Sequence, residues 1–220
     1  MTRTRAVVFD LWDTVVEFSR EHSDAHRAEM IRCLGVDTER FTEVYTRLGP
    51  GRETGPLATF FGRVCAELGK DGAAVEELLE LRRGYARQAL IPREGSIETL
   101  TELRRRDLHI GLISACTSDV PEAWPETELA PLFDATVFSC EVGFSKPDPR
   151  IYALACDRLG VEASEAVFVG DGANDELAGA ERAGMRAVLI LRPHQDEPYW
   201  KEAHGWEPRI HALPELLDLV

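Results

Sequence analysis

Four apolar runs of this chain end on side chains that could do chemistry. Asp10 follows Ala6-Val7-Val8-Phe9, and Ser114 follows Leu108–Ile113. Lys146 lies in Gly143-Phe144-Ser145-Lys146-Pro147-Asp148-Pro149, behind Ala135–Phe138, while Asp171 and Asp175 lie in Gly170-Asp171-Gly172-Ala173-Asn174-Asp175, behind Ala166–Val169. Taken singly, Asp171 and Asp175 read as helix N-caps and Lys146 as a solvated surface lysine. Together they supply what work on a phosphoryl group requires. A carboxylate nucleophile splits one hard displacement into two easier ones. Two anions approach only when their charge is neutralised, and Mg²⁺ prefers hard oxygen ligands such as Asp10, Asp171 and Asp175. Lys146 would neutralise charge on Asp10 and on the transferring group. The Ser114 hydroxyl and the amides after it, from Ala115 on, would bind the equatorial oxygens.

These groups need a scaffold that brings distant segments to one edge. The runs are too short for helices and rich in β-branched and aromatic residues, so each reads as a strand, with Ala187–Leu191 as a fifth. Helical stretches alternate with them, which predicts a parallel sheet covered on both faces, its reaction site at the carboxyl ends of the strands. The helix after the third strand is well punctuated: Asp148 caps it, Pro149 suits its first turn and Gly160 its stop. A short final helix is expected from about Pro214 to Val220. Between the first two strands lie helical patterns such as Val75, Leu78, Leu79, Tyr85 and Ala86, interrupted by Gly49-Pro50-Gly51 and Gly55-Pro56. Residues 17–92 therefore read as a helical insertion over the sheet edge, with 1–16 and 93–220 forming the α/β core. The loop Gly49 to Pro56 is compatible both with a plain surface turn and with one presenting Arg52 or Glu53 to the site.

Bulk composition narrows the partners. Among 220 residues, 39 acidic side chains against 25 Lys and Arg give a net charge of −14, which repels a nucleic-acid backbone or an anionic membrane. A small-molecule substrate, acted on by a monomer or homodimer, is the expectation. The five cysteines form no Cys-x-x-Cys pair, which argues against a zinc site or a disulfide framework. With no signal-peptide pattern at the start and no apolar run near the roughly 20 residues that span a bilayer, the expected location is cytoplasmic. His22 and His26 stand four apart on a helix face expected to be exposed. Arg104-Arg105-Arg106 reads as a solvated helix end, Cys116 as a packing residue, and Trp124 as loop packing or a border of the site.

Phe9-Asp10-x-x-x-Thr14, a strand ending at Ser114, Lys146-Pro147-Asp148-Pro149 and Gly170-Asp171-x-x-x-Asp175, in that order, resemble the haloacid dehalogenase (HAD) superfamily over nearly the whole chain. The resemblance implies a doubly wound, mainly parallel, Rossmann-like sheet with an α-helical cap inserted after the first strand. It implies Asp10 as nucleophile, Ser114 and Lys146 at the phosphate site, Asp171 and Asp175 at a Mg²⁺ site, and a metal-binding main-chain carbonyl two residues after the nucleophile, here that of Trp12. The sequence departs from the phosphatases of this family at that same residue, because a second aspartate, the general acid and base, is replaced by Trp12. Asp13 falls one place late, an offset that redirects its side chain. Dehalogenases also lack this aspartate and often carry an aromatic residue there, yet they tend to lack the acidic metal pair and show an asparagine where this chain has Ala115. Phosphonate-cleaving relatives need a cap lysine, and the insertion offers only Lys70. The ranking is a Mg²⁺-dependent phosphohydrolase first, a metal-independent 2-haloacid dehalogenase second, and a catalytically weak protein that binds a phosphorylated metabolite third.

Overall fold

The computed structural model describes residues 3–192 and 195–220. Six strands, β1 (Ala6–Phe9), β2 (His109–Ser114), β3 (Ala135–Phe138), β4 (Ala166–Gly170), β5 (Arg186–Ile190) and β6 (Arg209–Ile210), form one sheet in the order β3-β2-β1-β4-β5-β6, every pairing parallel. β1 sits in the middle, Ala6 level with His109 on one side and Ala166 on the other. That position explains its unbroken apolar run, since a central parallel strand is buried on both faces. Alternate residues serve different faces. Val7 and Phe9 pack with Leu100, Leu103, Ile110 and Leu112, and Val8 packs with Phe168, Ile151, Ala155 and Leu159.

Helix α5 (Ser96–Arg105) covers the first face. The short helices α6 (Asp119–Ala123) and α7 (Ser139–Val142) follow β2 and β3. Helices α8 (Pro149–Leu159) and α9 (Glu176–Arg182) cover the second face. The punctuation of α8 is as its residues dictate: the Asp148 carboxylate accepts from Arg150 N at 3.0 Å, and Gly160 closes the helix in the left-handed conformation at φ 66°.

Between β1 and β2 lie α1 (Arg20–Leu34), α2 (Thr38–Leu48), α3 (Leu57–Glu67) and α4 (Gly72–Ala89). They enclose an apolar centre of their own, with Phe41, Val44, Phe61, Val64 and Leu78 fully buried. Where this segment leaves and rejoins the sheet, the buried Arg93 guanidinium donates to the carbonyls of Asp13 (2.8 Å), Leu191 (2.6 Å) and His211 (3.0 Å), and the Ser96 hydroxyl donates to Val15 O at 2.8 Å.

Two elements differ from the sequence reading. β6 was not anticipated, because two residues are too few to show an alternating pattern. The tail forms a 3₁₀ segment over Leu213–Asp218 instead of an α-helix. No described helix is long and apolar enough to cross a membrane.

Candidate active site

β1 ends at Phe9, and its parallel pairing continues one residue further, with Asp10 N donating to Val169 O at 2.8 Å. This fixes the Asp10 carboxylate at the carboxyl edge of the two central strands. Lys146 reaches it from the turn before α8. The buried ammonium donates to Asp10 Oδ1 and, at 2.5 Å, to Glu176 Oε2. Asp171, at the end of β4, completes the group: one carboxylate oxygen from each of Asp10, Asp171 and Glu176 lies within 4.8 Å of the others, and all three residues are buried.

The structure thus unites Asp10, Lys146 and Asp171, drawn from three separated segments. It does not bring in Asp175, and the acid that joins the group is its neighbour Glu176. Asn174 and Asp175 both adopt left-handed backbone, with φ of 53° and 59°. This delays the start of α9 and turns Asp175 outward to Arg182, 3.1 Å away, while Glu176 points inward. Gly170 makes room for it, since a Cβ there would come within 2.2 Å of Glu176 Oε1. Glu176 Oε1 accepts from Gly172 N at 3.0 Å. The missed signal was a second acid directly after Asp175 in the same turn.

Ser114 ends β2 as expected, its hydroxyl buried and without a hydrogen-bond partner among the described residues. Ala115, Cys116 and Thr117 reach the cavity wall, but the Cys116 amide is engaged by Ser139 Oγ at 3.0 Å. Burial pushes the Cys116 thiol up, which suits a packing residue.

Trp12 is half-buried against Phe18, their rings edge to face at 6.3 Å, and it walls the cavity instead of offering an acid. Asp13 adopts φ 57°, and this left-handed turn swings its carboxylate into the cavity wall, 2.7 Å from Arg192. Arg192 also approaches Asp171 at 3.4 Å, and the Trp200 indole donates to the same Asp171 oxygen at 2.8 Å. Arg93, Arg192 and Trp200 had no sequence signal: none stands in a motif, and each acts through the fold.

Electrostatically the cluster is tense. Burial raises Asp10 despite Lys146, with Asp171 adding to the effect. Burial pushes Glu176 up to about 8 and Asp13 up to about 6, the latter against Arg192. Burial alone would lower Lys146, yet the carboxylates of Asp10 and Glu176 carry it well above the ordinary amine range.

The helices α1, α2 and α4 roof a cavity of about 440 Å³ over these groups, with Arg27, Tyr45, Arg82 and Tyr85 in its upper wall. Arg52 and Glu53 line it too, so the loop after α2 does reach the site. Lys70 is not among the lining residues. His26 is buried, contrary to the expected exposed face, and stacks on Tyr85 at 4.6 Å. Burial pushes it down to about 4, helped by Arg82 and His22. Trp124 packs against Phe133 and Phe138, away from the cavity.

Comparison with known proteins agrees with this geometry. The family described as haloacid dehalogenase-like hydrolase matches residues 4–184. A glyceraldehyde 3-phosphate phosphatase of Methanopyrus kandleri is 31% identical, the match covering 98% of this chain and 97% of that protein. A phosphoserine phosphatase of Thermus thermophilus is 37% identical over 67% of this chain and 63% of its own. Among solved structures, a 2-haloacid dehalogenase from Pseudomonas syringae superposes with a TM-score of 0.74 at 25% identity, covering 100% of this chain and 98% of that one. A doubly wound sheet of this order, with Asp10 and Asp171 from its strand ends and Lys146 from the turn before α8 meeting at one point, and a family match over most of the length have one reading: the chain belongs to the haloacid dehalogenase-like hydrolases.

Proposed function

We propose that this hydrolase is a Mg²⁺-dependent phosphohydrolase of small organophosphates that works through an aspartyl-phosphate on Asp10. One observation carries the reading. Asp171 shares a buried oxygen cluster with the nucleophile. A second carboxylate there helps to hold a hard cation and would only hinder a halide displacement. The donors fit such an ion: all three are carboxylates, and among the described residues the wider group of Asp10, Asp13, Asp171 and Glu176 is ion-paired with Lys146 and Arg192 and has Arg93 nearby, still an excess of negative charge when all are ionised. Asp10, Asp171 and the Trp12 carbonyl would hold Mg²⁺, which when bound supplies neutralisation of the phosphoryl oxygens.

The protein's own groups do the rest. Lys146 keeps the Asp10 carboxylate oriented and screens its approach to phosphorus. The Ser114 hydroxyl, fully buried one residue before the cavity wall begins at Ala115, lacks a partner among the described residues at a cost of about 1–3 kcal/mol, and we assign it as donor to an equatorial oxygen on turning towards the cavity. Asp10 then attacks in line, and water later cleaves the acyl phosphate. The leaving group receives no proton from position 12, and the Asp13 carboxylate is engaged by Arg192. Substrates whose leaving groups are already stable anions are therefore favoured. The relatives named for phosphatase activity support the same class.

The test is hydrolysis of p-nitrophenyl phosphate, expected to vanish with a chelator and return with added Mg²⁺; turnover indifferent to chelation would overturn the proposal. The Trp12 ring itself favours a second reading, displacement of halide, and chelator-insensitive halide release from 2-chloropropionate would put that reading first. Trp12→Asp, which returns an acid to the cavity wall, is expected to raise kcat on an alkyl ester such as glycerol phosphate by about 10²-fold. If kcat on such esters does not rise, the missing acid is not what limits them.

A further inference from the structure

Arg192 leaves the end of β5 and meets two carboxylates of the site unequally, Asp13 at 2.7 Å and Asp171 at 3.4 Å. Its guanidinium lies over the Tyr199 ring, 4.1 Å from the centroid, and 5.8 Å from that of Trp200. Trp200 donates its indole N–H to Asp171 Oδ2, the oxygen Arg192 also approaches, while Asp171 Oδ1 accepts from Ala173 N at 3.1 Å. One carboxylate oxygen thus carries both a guanidinium and an indole donor, held together by stacking.

The geometry points to a clasp: we propose that Arg192 is a resident counter-ion at the Asp13–Asp171 pair, and that a divalent cation entering the site must displace Arg192 and Trp200 from Asp171. The inference rests on the divalent-cation reading above and deepens it. A cation bound through Asp171 Oδ2 needs the lone pairs these donors occupy, and a guanidinium this close repels a cation at either oxygen. The shorter contact to Asp13 lets Arg192 release Asp171 without leaving the site. The clasp balances part of the acidic excess. In the loaded protein it lowers affinity, so Arg192 acts as a positioning residue that sets how readily the site exchanges its ion.

Two roles for Arg192 predict opposite signs. If it merely shaped the site, removing it would weaken cation binding. As a competitor, its removal strengthens binding. Calorimetric titration of the full chain with Mg²⁺ is expected to give Arg192→Met an affinity about ten-fold or more above that of the natural chain, with Arg192→Lys close to natural because it keeps the charge. A natural chain that binds Mg²⁺ while Arg192→Met binds it equally or more weakly overturns the clasp alone. Failure of both proteins to bind Mg²⁺ overturns the cation reading and the clasp with it. Should Arg192→Met not fold, the natural chain decides: Mg²⁺ is expected to shift tryptophan emission as the Trp200 indole loses Asp171, and Trp200→Phe is expected to abolish the shift. Mg²⁺ binding with no emission change assignable to Trp200 overturns the proposal.

Discussion

Asp10→Asn is expected to abolish turnover and leave the fold as stable as before or slightly more so. The amide keeps the shape of the carboxylate and an oxygen that accepts from Lys146, but it cannot form the proposed aspartyl-phosphate, so kcat is expected to fall by about 10⁴-fold or more. Stability should move the other way because Asp10 is 6% exposed and burial raises its pKa despite Lys146. A carboxyl raised above its unfolded value contributes most below that value, about 3.8, and the contribution is lost as pH rises through the folded pKa. At neutral pH the natural chain therefore carries a cost that the amide removes, and the two proteins converge in acid below the unfolded pKa. Phosphate release and urea denaturation at neutral and acid pH read both effects. A variant retaining more than about 1% of the rate would mean that another group attacks.

The division between what could be read from residues and what could not follows physical range. Asp10, Lys146 and Asp171 were legible because each stands at the end of a buried strand or at a helix start, and a parallel sheet has only one edge where such ends meet. The caps of α8 were legible because Asp148, Pro149 and Gly160 act on their own backbone. Glu176 was not, because two consecutive left-handed residues, Asn174 and Asp175, shift which acid faces inward, and neither is a glycine that would advertise the conformation. Asp13 hid for the same reason: its φ of 57° turns a one-residue offset into a place in the cavity wall. Arg192 and Trp200 come from the stretch between β5 and β6, where no periodicity marks the chain, and they matter only through partners far away in sequence. His26 shows the limit of pattern: four residues from His22, it reads as half of an exposed pair, yet packing against Tyr85 and α4 buries it.

Lys146→Met is expected to cost both activity and stability, and the pH dependence of the second tells why. Lys146 is the shared donor to Asp10 and Glu176, its side chain 4% exposed. Removing one partner of a buried charged group leaves uncompensated carboxylates, typically costing about 3–5 kcal/mol. Methionine keeps most of the stem, so lost packing contributes little. Without the ammonium, the acids rise further above their unfolded values of 3.8 and 4.5, Glu176 starting from about 8. Groups shifted in this direction contribute stability below the unfolded values and lose it as pH rises through the folded ones. The gap between variant and natural chain should therefore open as pH rises through the folded values of the natural chain, about 8 for Glu176, and narrow below them, as protons take the place of the missing cation. Turnover should fall about 10³-fold, since no other group both orients Asp10 and screens its approach to an anion. Lys146→Arg is not expected to rescue it, because a planar fork cannot occupy the point where two carboxylates converge on one compact ammonium. Urea denaturation of both proteins at pH 9 and at pH 5 checks the account. A gap equal at the two values would assign the cost to packing of the lysine stem, and Asp10 would then owe its orientation to the β1–β4 pairing and to Thr14, whose hydroxyl donates to Asp10 Oδ2 at 3.3 Å.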